Sequence, residues 1–167
     1  IDGGESVETA VAMAKSRALD TGMAFCHPYD DVDVVAGQGT LGLELLEDIS
    51  DLSLVIVPLG GGGLLAGTAL AIKQQHPEVK IVGVQISSCA PYIYGNAPNG
   101  AVPTLADGIA VKQPGEITRP LIENWVDELV DVGLIQIAMH GETVGHGGRM
   151  LIRHHFSFEA VGRSPVL

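Results

Sequence analysis

From Glu5 to Leu19, the residues Val7, Val11, Ala14 and Ala18 recur at helical spacing, and Gly22 stands where a left-handed residue would stop a helix. Ala24 to His27 reads as a short strand closed by Pro28. Leu41, Leu45 and Ile49 then predict a second helix over Thr40 to Ile49. Leu52 to Leu59 is a continuous apolar run, the pattern of a strand buried on both faces. Gly60 to Gly63 lead into an apolar, Ala-rich helix expected to end near His76-Pro77, and Lys80 to Ile86 predicts the next parallel strand. Ala90 to Pro103 holds three prolines, two glycines and two asparagines, which is loop chemistry. Arg119 to Trp125 reads as a short helix with Pro120 in its first turn, and Glu128 to Val132 as a further strand. A last helical pattern starts at Leu134, interrupted by Gly141, Gly145, Gly147 and Gly148. Each glycine costs about 1 kcal/mol against alanine there, so that helix is weakly specified.

Strands alternating with helices predict an α/β fold, a parallel sheet with flanking helices. Composition agrees: 46% hydrophobic and only 17% charged residues describe a folded chain, and 4% aromatics leave the core to aliphatic side chains, Ala and Gly. A length of 167 residues fits one core. The net charge of -11 points away from nucleic acid and from anionic membrane surfaces. Cys26 and Cys89 form no CxxC pair and read as free thiols. No apolar run reaches the roughly 18 residues of a membrane span, so a soluble cytoplasmic protein is expected.

The strongest local signal is VIVPLGGGGLLAG, residues 55 to 67. A buried strand delivers four glycines to the start of a helix. Glycines let successive N–H groups turn toward one point, and the helix start adds partial positive charge, which together suit a phosphate. A nucleotide P-loop would need Lys and then Ser or Thr after the last glycine, where Leu64 and Leu65 stand. Gly61, Gly63 and Ala66 match a dinucleotide-binding variant, whose ribose-binding acid is replaced by Gln85. That alternative ranks second.

Three blocks carry a family resemblance: AFCHPYDDVDVVAGQGTLGLELLEDI from Ala24, the 31 residues from Val55 to Gln85, and TLADGIAVKQPGE from Thr104. They resemble the threonine/serine dehydratase and serine racemase group of fold-type II pyridoxal-phosphate (PLP) enzymes. HFSFEAVGRSPVL from His155 is similar, more faintly, to the group's Glu-Gly-Ala-Gly segment, with Glu159 at the acidic position. The resemblance implies PLP as cofactor, its phosphate held by Gly60, Gly61, Gly62, Gly63 and the N–H of Leu64. It implies that Gly37, Gln38, Gly39 and Thr40 form a turn and helix start beneath the cofactor cleft, and that Thr104 to Gly108 line the cofactor ring's side. Residues 1–25 would end a small domain, and residues 26–167 would be part of the large PLP-binding domain.

The implied reaction is elimination of water and ammonia from a hydroxy amino acid, with a small amino acid as substrate and no nucleic-acid or membrane partner. The group's Schiff-base lysine lies in a Ser-Phe-Lys-like motif before the first residue here, and none of Lys15, Lys73, Lys80 and Lys112 sits in such a motif. No catalytic residue is therefore assigned, and the chain reads as an internal segment of about half a catalytic core, inactive alone. An incomplete sheet has open edges, so a homo-oligomer or a complementing segment is expected. A non-catalytic phosphate-binding or assembly module is the alternative. The group's cation-site acids would fall near Gln85 and Pro91, so no metal is expected.

Other polar clusters carry less. His146, His154 and His155 lie near Glu142, but their spacing fits no HExxH pattern. Asp30, Asp31 and Asp33 lack the glycine and closing glutamate of a calcium loop and read as an ordinary strand-to-helix connection. Ser87-Ser88 have no nucleophile-elbow context.

Overall fold

Ser6 opens the first helix in the computed structural model, which describes residues 6–99, 102 and 104–133. Its hydroxyl accepts the Thr9 N–H at 3.2 Å, and α1 runs over Val7–Thr21 until Gly22 turns left-handed at φ 71°. Helix and stop are where the apolar spacing put them. The face is not buried, however: no residue of α1 is, and Leu19 is 85% exposed.

Ala24 to His27 forms no strand, which corrects the first strand expectation. Phe25, His27 and Tyr29 still alternate, their rings meeting edge to face with centroids 5.9 and 4.5 Å apart. The alternation serves ring contact, because no strand pairs with the segment.

The second helix, α2, spans Val32–Asp48 and so begins well before Thr40. The Asp31 carboxylate caps it by accepting the Asp33 N–H at 2.9 Å. Gly37, Gln38, Gly39 and Thr40 are therefore mid-helix, not a turn and a helix start. Close packing explains glycines that local propensity disfavours. The helix α3, Gly63–Gln75, lies against α2, and a methyl at Gly42 would stand 2.8 Å from the Thr68 carbonyl oxygen. A methyl at Gly67 would run into the Val35 carbonyl and lie 2.7 Å from the Gly39 nitrogen.

Three parallel strands, β1 (Leu54–Pro58), β2 (Lys80–Ile86) and β3 (Glu128–Val132), pair in sequence order. Val57 stands opposite Gly83, which stands opposite Leu129. The α3 helix connects β1 to β2. The return to β3 passes through a one-turn helix α4 (Pro91–Tyr94), a 3-10 turn at Asp107–Ile109 and α5 (Thr118–Trp125). The α4 turn lies in the stretch read as loop. Its signal was Pro91 at the first position and Gly95 left-handed at the end, φ 74°. Since α3 packs against α2 and α5, the core closes on one side of the sheet, with Leu59, Leu65, Ile72 and Ile81 out of solvent.

The run from Leu52 to Leu59 was expected to be buried on both faces. Instead β1 alternates: Val55 and Val57 are buried, while Leu54 and Ile56 are 48% and 55% exposed. An apolar run records that a face seeks cover, not that the same residues provide it. The helix pattern from Leu134 lies outside the described residues, as do His146, His154, His155 and Glu159. Among the described residues no helix is long and apolar enough to cross a membrane.

At the strand starts, Asp127 accepts the Ile81 N–H at 2.7 Å and a Lys73 ammonium proton at 2.8 Å, while Lys80 pairs with Glu128 at 2.7 Å. Burial alone would raise the Asp127 pKa. The Lys73 and Ile81 hydrogen bonds, with the charges of Lys73 and Lys80, outweigh it and hold the carboxyl below its usual 3.8. A carboxyl held low in the fold contributes stability above its unfolded pKa and loses it as pH falls through the folded one. Stability should therefore fall with acidification below about pH 4, and Asp127→Asn should flatten that acid limb; urea melts from pH 6 to pH 2 measure it. The helix contact has its own test. Gly67→Ala should destabilise the chain by about 1–3 kcal/mol. Gly37→Ala, where a methyl meets nothing within 4 Å, should stabilise it by about 0.5–1 kcal/mol. Thermal melts of the pair should move in opposite directions.

Candidate functional site

The C-terminal end of β1 hands the chain to the four glycines. Leu59 makes the last sheet bond there, its N–H donating to the Val84 carbonyl at 2.8 Å. The first helical bond of α3 is Ala66 N–H to Gly62 O, also at 2.8 Å. Between them, the N–H groups of Gly60 to Leu65 donate to no described residue. Glycine conformation is required at Gly62, the helix cap, at φ 100°. Unpaired donors at the start of a helix make a place of positive potential suited to a phosphate oxygen.

Three walls surround the loop. The Tyr29 ring lies across Gly61, so that a Cβ there would overlap it, and a Cβ on Gly63 would stand 2.9 Å from the Tyr29 carbonyl oxygen. The Tyr29 hydroxyl donates to the Gln113 carbonyl at 3.0 Å, and burial, with Glu8, Tyr92 and Asp30 nearby, pushes its pKa to about 12. On the second side, a Cβ on Gly60 would lie 3.1 Å from Ile109 Cα, 3.2 Å from Gly108 O and 3.3 Å from Val111 Cγ2. Tyr92 and Thr118 form the third wall, 2.5 and 2.7 Å from a Cβ on Gly62. Tyr29 thus holds Gly61 and Gly63, Tyr92 and Thr118 hold Gly62, and the backbone at Gly108 and Ile109 crowds Gly60.

One carboxylate ties these walls together. Asp30 accepts N–H groups from Glu116 at 2.9 Å, Ile117 at 2.8 Å and Thr118 at 3.2 Å, placing negative charge at the start of α5. His27 shapes the turn beneath by accepting the Asp30 N–H on Nδ1 at 2.9 Å. Burial, opposed by Asp30 and Asp31 and helped by Lys15, lowers its pKa below 6.5, consistent with an unprotonated acceptor nitrogen. Asp30 and Asp31 are thereby two helix caps rather than members of a metal loop.

The sequence-predicted residues divide accordingly. Gly60 to Gly63 and Leu64 gather at one point, and the Thr104 to Gly108 segment reaches them at its Gly108 end. Gly37 to Thr40 do not reach the loop; they belong to α2, where Gly39 packs on α3. Gln85, where a dinucleotide-binding acid would stand, is fully buried, with Oε1 accepting the Tyr92 N–H at 3.1 Å. Its side chain is enclosed by the fold and helps start α4. Lys73 and Lys80 are paired with Asp127 and Glu128 at the strand starts, the end of the sheet opposite the loop, and Lys15 stands over the Phe25 ring. Among the described residues no three His, Cys, Asp or Glu side chains gather as metal ligands. Sequence reasoning missed Tyr29, Asp30, Tyr92 and Thr118 as walls. Only the HPYDD stretch carried a signal, because a histidine and proline before two aspartates announce a capped turn.

A family model described as pyridoxal-phosphate dependent enzyme matches residues 1–152. The chain belongs to that family. An L-threonine ammonia-lyase of Thermotoga maritima is 48% identical over 124 residues, covering 71% of this chain and 31% of the relative. Among solved structures, a maize serine racemase superposes with TM-score 0.76 at 29% identity, covering 85% of this chain and 46% of the other. A threonine deaminase of T.th. gives TM-score 0.75 at 33% identity, covering 83% and 48%. The chain thus spans about a third of the curated relative's length and just under half of each solved neighbour. The α/β parallel-sheet architecture of this PLP-dependent enzyme family is the fold seen here.

Asp30→Ala should remove the cap on α5 and loosen the wall behind the glycines. Loss of a helix cap predicts about 1–2 kcal/mol lower stability, read from urea denaturation, with Asp30→Asn recovering part of it.

Proposed function

We propose that this chain is the phosphate-anchoring portion of a PLP-dependent lyase that eliminates water and ammonia from threonine or serine. The observation that carries this is the run of N–H donors from Gly60 to Leu65 at the start of α3, walled so tightly that a Cβ at Gly61, Gly62 or Gly63 would strike a neighbour and one at Gly60 would crowd the backbone at Ile109. Gly60, Gly61, Gly62 and Gly63, with the N–H of Leu64, would hold the phosphate of PLP, and the helix start would favour its negative charge. When bound, PLP supplies an electron sink at the substrate's α-carbon. The protein's own part is to bind and orient. Tyr29, protonated at neutral pH, closes one side of the loop without adding charge beside the phosphate.

The names of the relatives support threonine as the substrate class, and a serine racemase among the neighbours keeps serine in range. We assign residues 1–25 to the end of a small domain and residues 26–167 to part of the large one. The wholly unburied α1 is in keeping with a helix whose packing partners belong to that small domain. Half-exposed Leu54 and Ile56 support a complementing segment or second copy on the outer face of β1. Turnover needs a Schiff-base lysine, and none of Lys15, Lys73, Lys80 and Lys112 sits in the motif that carries it in the family.

The 167-residue chain should bind PLP more tightly than pyridoxal, which lacks the phosphate, with the difference abolished by Gly62→Val. Equilibrium dialysis measures both. Equal affinity for the two compounds would sink the phosphate reading. Borohydride treatment followed by peptide mass mapping should leave no single lysine stoichiometrically labelled. One defined labelled lysine, with a 2-oxo acid formed from threonine, would show that the chain is catalytic by itself.

A further inference from the structure

We propose that Tyr92 and Thr118 are positioning residues that set the direction in which the glycine loop presents its N–H groups, an inference that rests on the phosphate role proposed for Gly60 to Gly63. The Gly61 carbonyl oxygen lies 2.9 Å from the Tyr92 hydroxyl and 2.9 Å from the Thr118 hydroxyl, and accepts from both. A trans peptide unit is planar, so the C=O of Gly61 and the N–H of Gly62 point in opposite directions. Holding that carbonyl against the two hydroxyls therefore turns the Gly62 N–H away from them, to the donor side of the loop. The left-handed Gly62 agrees, since a side chain there would strike the same two hydroxyls.

The proton count sharpens the point. Each hydroxyl carries one proton, and the two oxygens are also 2.9 Å from each other. Three close contacts share two protons, so two of them are hydrogen bonds at once, and the Gly61 carbonyl accepts both only when neither hydroxyl donates to the other. Two further contacts bias it that way. Gly115 N–H donates to the Tyr92 oxygen at 3.2 Å, occupying a lone pair, and the Arg119 guanidinium lies 5.3 Å from the Tyr92 ring centre. Thr118 is wholly buried, and its own N–H is held by Asp30. Burial raises the Tyr92 pKa, so the phenol remains a donor at neutral pH. Without both hydroxyls, the buried Gly61 carbonyl has no described partner. The peptide would gain by flipping, which would replace an N–H with a C=O at the phosphate's side.

The test compares the 167-residue chain with Tyr92→Phe, Thr118→Val, the double variant and Thr118→Ser. Affinities for PLP and for pyridoxal are measured by dialysis, and the Gly62 amide is followed by ¹H–¹⁵N NMR during titration with PLP. Circular dichroism melts report folding. The double variant should bind PLP about tenfold more weakly, the effect of losing one charge-assisted hydrogen bond. Pyridoxal affinity should stay unchanged, and the PLP-induced shift of the Gly62 amide should be lost. Thr118→Ser should bind as the parent does. Should the double variant fail to fold, Tyr92→Phe carries the same test with a loss of a few-fold. A folded variant that keeps the parental affinity and the Gly62 shift would overturn the proposal, as would an equal loss for PLP and pyridoxal, which marks general damage. A parent chain that does not discriminate PLP from pyridoxal overturns the phosphate reading itself, and this proposal with it.

Discussion

The four glycines after β1 are where the chain's distant parts meet, and the space denied to a side chain at each of them organises everything around the site. Tyr29 comes from the connection before α2, Gly108 and Ile109 from the middle of the return to β3, Tyr92 from α4, and Thr118 from the start of α5. Each arrives within contact distance of the loop, Tyr92 and Thr118 meeting at Gly62. A single Cβ would push one of these segments away, and because Asp30 links the first to the last, the disturbance would spread around the loop.

Two kinds of force share the work. Aliphatic burial between the sheet, α2, α3 and α5 holds the layers together without direction. Hydrogen bonds supply the direction. Asp31 starts α2, Asp30 starts α5, and the amide of Gln85 starts α4, so each helix near the loop begins at a side chain that fixes its register. The N–H groups at the start of α3 stand out against this background. The neighbouring helix starts are capped by side chains, while the N–H groups of Gly60 to Leu65 donate to no described residue. That contrast is what family membership would lead one to expect at a phosphate.

Much of the architecture was legible in the chain. The helices α1, α3 and α5 and the strands β1, β2 and β3 fall where apolar spacing, Gly22 and the glycine run put them, because each is long or regular enough for local pattern to dominate. The failures have particular causes. The stretch from Gly37 to Thr40 resembled a turn and helix start, since local propensity disfavours glycine in a helix and knows nothing of the α3 helix that packs against Gly39. Ala24 to His27 mimicked a strand, because a short apolar stretch before a proline does not record whether a neighbour pairs. Pro91 and Gly95 bracketed a helix of one turn, too short for any period to show.

By itself the sequence determined the class of fold and the place of the glycine loop, since strand, turn and helix start are local features set by neighbouring residues. It also carried the family, through motifs in order. Tertiary structure alone decided which residues wall the loop and which way its peptides face. Tyr92 and Thr118 stand 31 and 57 residues from Gly61, a separation no spacing rule spans. Their hydroxyls reach one carbonyl only once the fold has brought α4 and the start of α5 to the glycine loop, because hydrogen bonds act over about 3 Å of space and are indifferent to distance along the chain.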